Sequence, residues 1–81
     1  MKIHRPKNTK MIDEIWMFCS VDEGGEGIIA IEVDGTMVPL LAADKARVDA
    51  IRGLAKSIGV DTGQKIVLKR FSKCEIVEEI T

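Results

Sequence analysis

Ile15-Trp16-Met17-Phe18-Cys19-Ser20-Val21-Asp22 is the stretch on which the fold of this chain turns. Ile15, Met17, Cys19 and Val21 alternate with Trp16, Phe18, Ser20 and Asp22, the period of two that belongs to a β-strand. The middle of the strand is apolar on both sides, so each face of the sheet that holds it needs cover. Asp22-Glu23-Gly24-Gly25-Glu26 reads as a polar turn, and Gly27 to Val33, rich in Ile and Val, as a second strand joined to the first in a hairpin. Asp34-Gly35 marks a two-residue turn, because glycine takes the positive φ of a primed turn, and Thr36 to Leu41 makes a third strand. Pro39 has no N–H to give a ladder, which puts this strand at an edge or a bulge there.

Beyond the strands the period changes. Asp44 stands where a helix N-cap belongs, its carboxylate free to accept from first-turn amides. Ala50, Ile51, Leu54, Ala55 and Ile58 fall on one helical face and Lys45, Asp49, Arg52 and Lys56 on the other. Gly53 and Gly59 each cost a helix about 1 kcal/mol relative to Ala. They predict close packing at Gly53 and a stop or fraying near Gly59, with Gly63 as the alternative stop. Arg47 falls toward the apolar side, where it would snorkel or pair with an acid of the first strands. Lys65 to Phe71 alternates again as a final strand. After it, Ser72 and Glu75 fit a capping box opening a short helix with Ile76, Val77 and Ile80, while Cys74, Ile76 and Ile80 would also suit an edge strand.

These readings give an α+β fold in β-β-β-α-β order. It has an antiparallel sheet of three to four strands, one principal helix on one face, and a short C-terminal helix or strand. Residues 1–11, with Lys2, Arg5, Lys7 and Lys10, read as a flexible basic arm, and residues 12–81 as one small domain. A chain of 81 residues buries only about 60 to 65% of its unfolded surface, which leaves a thin stability margin and no room for a second domain. A composition 46% hydrophobic and 31% charged with a net charge of −1 excludes intrinsic disorder.

Composition also narrows function. One Trp, two Phe and no Tyr leave little with which to stack exposed bases. No apolar run approaches the roughly 18 to 20 residues that span a bilayer, and no secretory h-region opens the chain, so no membrane role and a cytoplasmic location are expected. Cys19 and Cys74 then read as reduced thiols, without the spacing of a zinc site. His4 is the only histidine, and no nucleophile and base can be paired from the sequence. The expectation is a chain that is not an enzyme and carries no metal or cofactor. Asp22 to Gly27 is glycine-rich but acidic and leads into a strand, unlike a phosphate loop, which leads into a helix N-terminus.

Charges are sorted along the chain. Seven acids from Asp13 to Asp34 have no Lys or Arg among them, whereas eight bases between Lys45 and Lys73 face only Asp49 and Asp61. Lys45, Arg52, Lys56, Lys69, Arg70 and Lys73 are therefore candidate phosphate contacts. Asp49, spaced i,i+4 from Lys45 and i,i+3 from Arg52, argues instead for an ordinary solvated face, and nucleic acid is not the favoured partner.

Counting faces leads further. One helix covers one side of a sheet that is apolar on both, so a homodimer is expected, through the other face or an edge, with Trp16, Phe18, Ile29 and Ile31 as its interface. The functional expectation is a non-catalytic protein-interaction domain. The alternative is a phage or mobile-element regulator, antitoxin-like, touching nucleic acid through the basic helix and strand.

Gly27-Ile28-Ile29-Ala30, Met37-Val38-Pro39-Leu40-Leu41-Ala42-Ala43-Asp44, Thr62-Gly63 and Arg70-Phe71-Ser72 resemble short bacterial and phage proteins of unknown function, over roughly residues 15 to 72. The resemblance implies no activity. The element order also resembles that of HicB-type antitoxins, in topology alone, and assigns no residue a role.

Overall fold

A computed structural model describes residues 11–81; most of the basic arm lies outside the described residues. The elements run β1 (Ile15–Asp22), β2 (Gly25–Ile28), β3 (Ala30–Val33), β4 (Thr36–Pro39), β5 (Leu41–Ala42), α1 (Lys45–Thr62) and β6 (Lys65–Phe71). β1 is central in a four-stranded antiparallel sheet. β6 pairs along its whole length, from Ile15 opposite Phe71 to Val21 opposite Lys65. β2 pairs with the second half of β1, through Cys19–Ile28 to Asp22–Gly25, and β5 with the first half, through Trp16–Ala42 and Met17–Leu41. β3 and β4 form a separate two-stranded antiparallel sheet. The α+β class, the antiparallel pairing and the helix placed between the early strands and a last strand agree with the sequence reading.

Two strands expected as continuous are each cut in two, and Phe18 is the reason. Its N–H donates to the Leu40 carbonyl at 3.2 Å, the Leu40 N–H to the Ile29 carbonyl at 2.9 Å, and the Ile29 N–H to the Phe18 carbonyl at 3.0 Å. This closed ring of three hydrogen bonds is a fork. Below it β2 and β5 hold β1; above it the chain leaves as the β3–β4 hairpin. The three side chains at the fork are all buried in the core, so the backbone switch is locked by packing. The hairpin ends in the Asp34-Gly35 turn, with φ 50° and 81°, between the paired residues Val33 and Thr36. Pro39 pairs with Ala30 one residue before Leu40 donates to Ile29; the alternation of an antiparallel ladder turns the nitrogen of Pro39 away from β3, where no donor is needed.

Asp44 caps α1, its Oδ1 accepting from the Arg47 N–H at 2.8 Å. Gly63 ends the helix in the left-handed region, φ 69°, its N–H reaching the Gly59 carbonyl at 2.9 Å, so the stop falls at the second of the two glycines proposed for it. Val48 and Ala55 are buried, and Ile51 and Ile58 pack beside them on the core of Phe18, Ile29, Leu40 and Ala42. Val48 rather than Ala50 or Leu54 centres the buried face; both of the latter are exposed. The close approach falls at Gly59, where a Cβ would stand 3.1 Å from Ile66 Cγ1, while nothing lies within 4 Å at Gly53. Arg47 is exposed and turns back to the Asp44 carboxylate one helical turn away, in place of the snorkelling or the pairing with a strand acid expected. Residues 72–81 form neither helix nor strand and are exposed throughout. A helix this short is marginal without a surface to pack on, and the capping box alone does not supply one.

Candidate interaction surface

Residues directly opposite in an antiparallel ladder point to the same side of the sheet. Trp16, Phe18, Leu68 and Ala42 accordingly share the side that α1 covers, and they belong to the core or pack against it. Ile15, Met17, Cys19 and Val21 share the other side with Leu41, Ile28, Val67 and Phe71. No element among the described residues packs on this second side. Ile28 is 49% exposed, Leu41 42% and Phe71 50%.

Cys19 is the exception on the open face, at 3% exposure although outside the core cluster under the helix. The register explains its cover. Glu26 stands opposite Val21 and Lys69 opposite Met17, and Lys69 Nζ makes an ion pair with Glu26 Oε1. The bridge runs from β2 to β6 diagonally over β1, with Cys19 at its middle. Glu26 and Lys69 thus stand at equal register distance from the centre of this apolar surface, with Lys65, opposite Val21, as a second base at its margin.

Of the four interface candidates read from the sequence, Phe18 and Ile29 are buried under the helix, and Trp16 and Ile31 pack against the same core. The face left open in this fold is the opposite one. The Trp16 indole N–H donates to Glu14 Oε1 at 3.1 Å, and the Arg70 guanidinium lies 5.5 Å from its ring centroid, a cation–π contact. Ile28, Leu41, Val67 and Phe71 were absent from the sequence-derived site; the signal that finds them is the pairing register, which the alternation alone does not carry.

The six basic candidates are not brought together. Lys45 and Arg52 both pair with Asp49, the former at 3.8 Å. Lys69 lies on the open face with Glu26, whereas Arg70, its chain neighbour, lies on the helix side over Trp16. Lys73 belongs to the irregular residues 72–81. Lys56 and Arg52 line a groove of about 520 Å³ between α1 and β6, with Gly59, Val60, Ile66 and Leu68 among its apolar walls.

Asp22 Oδ1 accepts from the Gly24 N–H at 2.8 Å and shapes the turn into β2. Among the described residues no group of three or more His, Cys, Asp or Glu is placed to hold a metal ion. Cys19 and Cys74 are free thiols. No helix among the described residues is long and apolar enough to cross a membrane. No protein-family model, curated protein or solved structure matches this chain.

Proposed function

We propose that this chain is a non-catalytic protein-interaction domain that pairs with a second copy of itself through the open sheet face. The observation that carries the reading is the face itself. Ile28, Leu41 and Phe71 stand exposed around half-buried Ile15, Met17, Val21 and Val67, a contiguous apolar surface of the kind that marks an interaction site. The charges favour a copy of the same chain as the occupant. A twofold axis in the plane of the face that exchanges the positions of Glu26 and Lys69 sets each over the opposite charge of the other copy, so this pair of charges is complementary to itself. Two free thiols, one exposed, fit a reducing cytoplasm.

The test is solution mass by light scattering, with circular dichroism to confirm folding, for the wild type and for Ile28→Glu combined with Leu41→Glu. Both positions are more than a third exposed, so the substitutions leave the helix-side core intact. Association that survives high salt in the wild type, and is reduced in the variant, supports the reading. A wild type with the mass of one chain at tens of micromolar, or a variant of unchanged mass, overturns it.

A further inference from the structure

The outer edge of β6 and residues 72–81 are complementary in a way that the open face does not use. β6 is paired with β1 on one side only, and among the described residues nothing pairs with its other edge. Seven residues of free strand edge are a template for another strand. Residues 72–81 carry Glu75, Glu78 and Glu79 interleaved with Ile76, Val77 and Ile80, which are 81%, 87% and 84% exposed.

We propose that β6 and the residues after it pair antiparallel with the same stretch of a second copy, about a twofold axis at Ser72. Pairing of a strand with its own copy is symmetric by construction, so one register fixes both halves. With Ser72 at the axis, Lys65 meets Glu79, Val67 meets Val77, and Lys69 meets Glu75, all on the side of the open face. On the helix side Leu68 meets Ile76. Glu78 falls opposite Ile66, in the wall of the groove that Lys56 and Arg52 line, so its charge is matched by bases on the helix. A slip of one residue that sets Ile76 against Lys69 also sets Glu78 against Val67, and the matching is lost.

The second copy, and not the segment's own β6, is the occupant because of the turn. Folding back directly after Phe71 would use Ser72-Lys73 as a two-residue loop, where primed turns call for positive φ and glycine or asparagine. That hairpin would also enforce the slipped register. The lysines at 65 and 69 on a free edge repel most strands and admit one that brings glutamates to those two positions.

The experiment is run in the Ile28→Glu/Leu41→Glu background, which removes the face contact and leaves the edge intact. There the chain is expected to run as a dimer, and Val77→Asp, which sets a carboxylate against Val67 of the other copy, to return it to the mass of one chain. Glu79→Lys alone and Lys65→Glu alone should each weaken the dimer about tenfold, since each sets two like-charge pairs across the axis. The two together should restore it. A single-chain mass before Val77→Asp is introduced, an unchanged mass after it, or a double charge swap that restores nothing overturns the edge pairing. Failure of the face contact reads differently: the Ile28→Glu/Leu41→Glu substitutions would then leave the wild-type mass unaltered while Val77→Asp still reduced it.

Discussion

Glu26 and Lys69 form an ion pair that crosses β1 from one neighbouring strand to the other, and Cys19 lies beneath its middle. Both side chains are partly exposed, at 49% and 35%, so solvent screening limits the bridge to under about 1 kcal/mol of stability. Its larger effect is on access. Lys69→Ala should raise the reaction rate of Cys19 with a maleimide several-fold while the unfolding midpoint hardly moves. Cys74, exposed in any case, serves as the internal reference. An unchanged Cys19 rate would mean that the neighbouring strands alone shield the thiol.

Val48 is fully buried and Leu54 is 39% exposed. Val48→Ala should therefore cost about 2 kcal/mol in urea unfolding, from lost burial and the cavity left behind. Leu54→Ala, although it removes more atoms, should cost less than about 1 kcal/mol. The reverse order would place the buried face where the sequence reading centred it.

That difference shows where the sequence stops being informative. Local signals identify the helix and its cap at Asp44 and narrow its stop to Gly59 or Gly63, of which the structure uses Gly63. They do not fix the rotation of the helix on the sheet. Val48, Ala55 and Gly59 lie on one line of the helix surface, at seven and four residue steps, and the contact of Gly59 with Ile66 turns this line toward β6, so that Ala50 and Leu54, roughly 140° away around the helix, leave the buried face. The site behaves the same way. β1 is apolar on both sides, so its composition foretells one open face without saying which. Trp16 and Phe18 invite selection as anchors by size, yet the helix packs on them, and the smaller aliphatic side is left open.

The two helix-interior glycines should respond differently to alanine. At Gly53 nothing lies within 4 Å of a new Cβ, so Gly53→Ala should stabilise the protein by about 0.5 to 1 kcal/mol through helix propensity alone. At Gly59 the same gain is set against Ile66 Cγ1 at 3.1 Å and the Gln64 carbonyl at 3.6 Å. Ile66 has to give by a few tenths of an ångström, and it borders the groove, so Gly59→Ala should gain less than Gly53→Ala. Gly63→Ala, at φ 69°, should destabilise by about 1 kcal/mol. Equal effects at positions 53 and 59 in thermal unfolding would remove the close approach as the reason for glycine at 59.

The fork at Phe18 divides the strands into a four-stranded sheet and a two-stranded hairpin. A lone hairpin is marginal in water, and β3–β4 touches the core mainly through Ile31, beyond the buried pair Ile29 and Leu40. Its amides should therefore exchange with deuterium at least about tenfold faster than those of β1 and β6, through local opening that leaves the sheet intact. Leu40→Ala would remove a side chain only 4% exposed and one corner of the packing that locks the fork, at a cost of about 3 kcal/mol. In that variant the arm should approach unprotected exchange while β1 and β6 lose protection only by the global destabilisation. If arm and sheet instead lose protection in equal measure, the hairpin is one cooperative unit with the sheet. The ring of hydrogen bonds among Phe18, Ile29 and Leu40 would then be a continuous joint, and not the boundary between two regions of different stability.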